Sequence, residues 1–72
     1  MVVYDVRYEP LELMWVVRRG GTPFSVHESL DDARTSAEEH ARTETAADGH
    51  ACRVIWSNKD GSNGGERDYA PR

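Results

Sequence analysis

The sequence predicts an α+β domain in which one helix packs on one face of an antiparallel sheet of four to five strands, in the order β-β-β-α-β. Strand-like patterns, either alternating or continuously apolar, occupy the chain before residue 28 and after residue 50. Between them, Ser29 is a favourable helix N-cap, and Asp31 and Asp32 meet the positive end of the helix dipole. With 72 residues, the chain makes a single domain with a thin core.

The first two strands are predicted over residues 2–8 and 11–19. Residues 2–8 alternate between two faces, as in a half-buried strand, and Glu9-Pro10 is expected to turn the chain. The second strand is apolar on both faces, which is typical of a central strand. One face carries Leu13, Trp15 and Val17, and the other carries Met14 and Val16.

A glycine turn and one helix connect the remaining strands. Gly20 and Gly21 permit positive φ, so residues 24–27 can return as a third, antiparallel strand. Apolar residues at helical spacing predict a helix from residue 30 to about residue 47, ended by Gly49. A fourth strand is predicted over residues 51–57. The domain therefore spans residues 1–58, and the polar segment 59–72 is expected to be flexible or to add an edge strand.

Composition narrows the classes of function. The net charge is −4, with 13 acidic and 9 basic residues, so a general attraction to nucleic acid is not expected. No signal peptide and no membrane-spanning stretch are recognisable. The single cysteine, Cys52, excludes an internal disulfide and suits a reducing compartment. These features predict a cytoplasmic protein that does not enter the membrane.

Signs of catalytic or metal chemistry are weak. His27, His50 and Cys52 hint at a metal, and His40 and Glu44 lie one helical turn apart. Structural zinc, however, needs four ligands at close spacings, and no Cys-x-x-Cys pair is present. No nucleophile with a neighbouring base and no paired carboxylates in a cleft are recognisable. Neither a cofactor, a metal nor an enzymatic activity is expected.

One helix covers only one face of the sheet, and strands two and four offer apolar residues to the other face. The interface candidates on this uncovered face are Met14, Val16 and Trp56. The face that Trp56 occupies is left open, because one bulge would exchange it with Ile55. The prediction is a non-catalytic protein-interaction module whose uncovered face meets a host protein or a second copy. The alternative is that the C-terminal segment folds over this face.

Two charged surfaces supply other hypotheses. Arg7, Arg18 and Arg53 fall on strands and could bind nucleic acid together with an aromatic side chain. Interspersed carboxylates instead favour surface ion pairs for these arginines. The acidic helix could imitate phosphates, but Arg34 and Arg42 interrupt its row of carboxylates, so an ordinary solvated face is expected.

Several short segments resemble the N-terminal domain of HicB-type antitoxins over residues 4–56. They are Trp15-Val-Val, the glycine turn, Phe24-Ser-Val-His, and Ser29-Leu-Asp-Asp-Ala leading to Ala37 and Ala41. The resemblance implies a partial RNase H-like unit that binds a small toxin. The DNA-binding part usual in that family is missing, as is the Pro-Asp-x-Pro-Gly type of segment usual before the third strand.

The same pattern also resembles small proteins of unknown function from actinobacteria and their phages. Eight of the nine basic residues are arginine and alanine is frequent, as in GC-rich genomes. This second resemblance implies a phage accessory protein that binds and modulates a host protein.

Overall fold

The computed structural model describes residues 1–72 and contains five strands and one helix. The elements are β1 (Val2–Glu9), β2 (Met14–Arg19), β3 (Thr22–His27), α1 (Leu30–Asp48), β4 (Cys52–Ser57) and β5 (Asn63–Tyr69). The strands form one sheet in the order β3-β2-β1-β4-β5, and α1 packs against one of its faces. The predicted α+β class and the order β-β-β-α-β are confirmed, and β5 adds a fifth strand after β4.

The sheet is mixed, and the prediction of a fully antiparallel sheet is wrong. β1 and β4 pair in parallel, whereas the other three neighbouring pairs are antiparallel. The reason is the helical crossover. Because α1 carries the chain back along the sheet after β3, β4 runs in the same direction as β3 and β1.

The connection between β1 and β2 also differs from the prediction. β2 begins at Met14, and residues 10–13 form a turn. Leu13 adopts a φ of 56°, which a bulky residue rarely takes, and its side chain does not join the core. Leu11 and Leu13 are 99% and 71% exposed. Pro10, which has no N–H to donate, follows the last residue of β1.

The ends of the helix and the glycine turn follow the sequence prediction. The Ser29 side chain accepts a 3.1 Å hydrogen bond from the Asp32 N–H, and Gly49 ends α1 in the left-handed conformation with a φ of 71°. Gly20 and Gly21 have φ values of 58° and 86°, as a two-residue hairpin turn of the primed type requires. α1 lacks the apolar stretch that a membrane-spanning helix needs.

The core lies between α1 and the sheet. The helix contributes small side chains, so its backbone can approach the strands closely. The sheet contributes the larger ones. The buried core residues are Tyr4, Val6, Trp15, Val17, Ala33, Ala37, Ala41, Cys52 and Val54.

The C-terminal strand β5 pairs with β4 and forms one edge of the sheet. Its two glycines lie against the Trp56 side chain. A Cβ atom on Gly64 would come within 2.6 Å of Trp56 Cδ1, and one on Gly65 within 2.6 Å of Trp56 Cζ2. The indole therefore packs directly on the backbone of the two glycines. This contact compensates for the missing side chains of glycine in an edge strand.

Candidate functional site

The face of the sheet opposite α1, here called the open face, carries a small apolar patch. Met14 and Val16 lie on it because the alternate residues Trp15 and Val17 face the helix. Val26 of β3 pairs with Val16 and shares the face. Val26 is 54% exposed, and Met14 is half-buried. Met14, Val16 and Val26 are called the apolar patch below.

Val16 is only 3% exposed although no helix covers it. Along β1, Glu9 lies opposite Met14, and Asp5 opposite Arg18. The 2.7 Å ion pair between Arg18 and Glu9 therefore runs diagonally past Val16. The aliphatic stem of an arginine can cover apolar surface in this way. The accessible part of the apolar patch is thus formed by Met14 and Val26.

Trp56 does not belong to the open face. It pairs with Val6, whose side chain is buried under α1, and it packs against the same core. The Arg34 guanidinium lies 3.8 Å from the centre of the indole ring. Ile55 takes the open face instead. The grouping of Trp56 with Met14 and Val16 is therefore wrong, because the regular alternation along β4 turns the indole toward the helix.

The three arginines proposed for nucleic-acid binding share the open face, but each faces a carboxylate. Arg7 pairs with Asp5 at 3.0 Å, and Arg53 with Asp68 at 2.6 Å. Arg18 pairs with Glu9, as described above. The Arg53 guanidinium lowers the pKa of the Asp68 carboxyl below its usual value. These arginines are largely neutralised and offer little to a phosphate backbone.

The open face also lacks aromatic side chains. Register and ring contacts place all six aromatic residues of the chain on the helix side of the sheet. They are Tyr4, Tyr8, Trp15, Phe24, Trp56 and Tyr69. Stacking of bases on aromatic rings, which single-strand binders use, has no platform there.

Two acidic residues without an ion pair flank the exposed end of the apolar patch. Glu12 lies in the turn before β2, and Glu28 follows directly after β3; neither belongs to a salt bridge. Because Trp15 pairs with His27, Glu28 comes next to the start of β2 at Met14. The end of the patch is therefore apolar at its centre and negative at its margin.

The residues that hinted at a metal do not form one group. His27 on β3 and Cys52 on β4 are separated by two intervening strands, which alone put about 14 Å between them at the usual strand spacing. The register also places them near opposite ends of β1, since His27 is level with Tyr8 and Cys52 with Val2. Cys52 is buried, and its thiol lies 3.6 Å from the carbonyl oxygen of His50. His27 contacts the Ser25 hydroxyl at 2.9 Å.

A buried carboxylate that the sequence analysis did not single out joins three elements. Glu44 is 8% exposed. The Tyr4 hydroxyl donates to its Oε1 at 2.6 Å, Arg19 binds both of its oxygens, and His50 Nδ1 lies 2.8 Å from Oε2. These contacts, with Arg19 the largest, hold the pKa of Glu44 well below its usual range. Burial raises the pKa of Tyr4 to about 12.

This cluster is better suited to holding the fold together than to binding a cation. The side chains of Glu44, Asp48 and His50 could bring three ligand atoms within 4.8 Å of one another. Arg19, however, already supplies the positive charge that a carboxylate would otherwise take from a metal ion. His40, which the sequence paired with Glu44, instead contacts the Ser36 carbonyl oxygen at 2.8 Å. The sequence contains one indication that Glu44 is buried, because Glu44 continues the buried stripe of the helix marked by Ala37 and Ala41.

No protein-family model, curated protein or solved structure matches this chain.

Proposed function

We propose that the protein is a non-catalytic interaction module of the cytoplasm that binds another protein through the apolar patch. The observation that carries the proposal is the 54% exposure of Val26, which shares the apolar patch with the half-buried Met14. Exposed apolar side chains that adjoin one another are typical of interaction surfaces. The strands that carry them are fixed by the packing of α1 on the opposite face, so the surface is preformed.

The charge around the patch indicates the chemistry of the partner. Glu12 and Glu28 carry no compensating cation, and the whole chain has a net charge of −4. We expect the partner to present an apolar side chain between lysines or arginines, because complementary charge guides association. A small basic toxin, as the HicB-like resemblance implies, has this character. A host protein of an actinobacterium is the partner implied by the resemblance to phage proteins.

The composition of the open face argues against a permanent homodimer. Obligate dimer interfaces are larger and more apolar than a transient contact. Here the apolar patch comprises three side chains, and ion pairs of Arg7, Arg18 and Arg53 occupy much of the remaining face. A transient complex with a different protein fits this surface better.

The proposal is tested by capture from a lysate of the source organism on immobilised protein, followed by titration of the captured protein against purified variants. Met14→Asp and Val26→Asp each place a charge in the patch, while Glu39→Gln on the helix surface is the matched control. We expect both patch variants to weaken binding more than about tenfold, or 1.4 kcal/mol. The control should bind like the wild type.

Circular dichroism must first show that each variant is folded. Unchanged binding by folded Met14→Asp and Val26→Asp contradicts the proposed surface. A concentration-dependent dimer in light scattering that both variants abolish assigns the patch to a second copy instead. Capture of nucleic acid that is lost in Arg18→Ala and weakens steeply with salt favours the alternative function.

A further inference from the structure

A groove of about 530 Å³ lies on the helix side of the molecule, between the last turns of α1 and the residues that follow β5. Its volume is within the range of small-molecule sites. No acidic side chain lines it. The lining residues include Arg42, Ala46, Tyr69, Pro71 and Arg72.

The groove collects the unpaired arginines of the chain. Six of the eight arginines form salt bridges with carboxylates. The two that do not are Arg42 and Arg72, and both line the groove. This distribution is notable because acidic residues outnumber basic ones in the chain by 13 to 9. The groove therefore holds two positive charges without a neighbouring side-chain anion.

We propose that this groove binds a small molecule in which a carboxylate or phosphate group is attached to an apolar body. Arg42 and Arg72 bind the oxyanion. The apolar body lies against Ala46, Pro71 and the ring of Tyr69. The site is separate from the apolar patch, which lies on the opposite side of the sheet.

The groove lies at the C-terminal end of α1. The helix dipole places about half a negative charge at that end, which disfavours an anion. The two guanidinium charges outweigh it, even when the carboxylate that ends the chain at Arg72 is counted. Arginines at the end of a helix can also serve to cap its last carbonyl groups. Neither Arg42 nor Arg72 does so, because neither donates a side-chain hydrogen bond to a carbonyl of the last turn.

The test is a titration of the ¹⁵N-labelled protein with three probes, namely inorganic phosphate, phenyl phosphate and benzoate. We expect phenyl phosphate or benzoate to shift the amide signals of residues 42–49 and 69–72 in a saturable way, and to bind more tightly than inorganic phosphate. Whichever of the two aromatic probes binds more tightly identifies the anionic group. Arg42→Gln should weaken the preferred probe about tenfold or more, since a hydrogen bond to a charged group is lost.

Arg7→Gln is the matched control because Arg7 is exposed on the open face; it should leave the affinity unchanged. No saturable shift with any probe overturns the proposal. Equal weakening by Arg42→Gln and Arg7→Gln also overturns it, because binding would then reflect overall charge.

Discussion

The Tyr4 hydroxyl donates a 2.6 Å hydrogen bond to the carboxylate of Glu44, which lies 40 residues further along the chain. Arg19 binds the same carboxylate at 2.5 Å, so β1, β2 and α1 meet at one buried acid. Because the alanines of α1 provide little bulk, polar contacts of this kind supplement a thin core. The position of the helix over the sheet therefore depends on this cluster as well as on apolar packing.

Replacing Glu44 by Gln should lower the free energy of unfolding by about 2 kcal/mol, since a charged acceptor of several buried hydrogen bonds is lost. Urea denaturation at neutral pH measures the change. Glu39→Gln, on the exposed side of the same helix, is the control and should stay within about 0.5 kcal/mol of the wild type. Equal stability of the Glu44 variant and the wild type would show that the cluster contributes nothing to folding.

Acid should destabilise the protein through the same carboxylate. The pKa of Glu44 is lowered from 4.5 in the folded protein, so its contribution is present above that pH. The contribution is lost progressively as the pH falls below 4.5. Glu44→Gln should therefore show a flatter acid limb of stability against pH. Some slope should remain, because the pKa values of Asp60 and Asp68 are also lowered.

Alkali should act through Tyr4. Its pKa is raised from 10.0 to about 12, so the neutral phenol stabilises the fold fully below pH 10. That contribution is lost as the pH rises from 10 toward 12. Titration of the phenolate absorbance should show one late-ionising tyrosine, and Tyr4→Phe should remove it. Tyr8→Phe is the spectroscopic control and should leave the late step in place.

Most of the fold followed from local patterns in the sequence. The Ser29 cap, the alanine stripe and Gly49 predicted the helix, and Gly20-Gly21 predicted a hairpin. The parallel pairing of β1 with β4 was missed because nothing in either strand alone specifies the direction of its neighbour. Leu13 was misassigned because a single residue with positive φ interrupts an otherwise continuous apolar run.

The candidate site was predictable only in part. Strand alternation placed Met14 and Val16 on the same face, and the structure agrees. For Trp56, alternation could not be applied without knowing whether β4 contained a bulge. The unpaired state of Arg42 and Arg72 could not be read from the sequence, because ion pairs depend on which side chains the fold brings together.

Gly64 supports a further prediction. A Cβ atom on Gly64 would lie 2.6 Å from Trp56 Cδ1 and 2.9 Å from the Trp56 carbonyl oxygen, which is too close for either contact. Gly64→Ala should therefore destabilise the protein by about 2 kcal/mol, in the range found for overpacking, and should change the tryptophan fluorescence. Asn63→Ala, at the exposed neighbouring position, is the control. A variant as stable as the wild type would mean that the indole moves aside without cost.

The parallel ladder between β1 and β4 affects how the chain reaches its native state. β1 is synthesised first, yet one of its two neighbours in the sheet is β4, in which Cys52 pairs with Val2. The pairing of β1 with β4 therefore joins residues that are separated by most of the chain. Contacts this distant in sequence slow folding. During translation, β1, β2 and β3 can assemble as a meander while β1 still presents an open hydrogen-bonding edge. A fragment that ends within the helix would therefore be prone to pair with other chains through that edge.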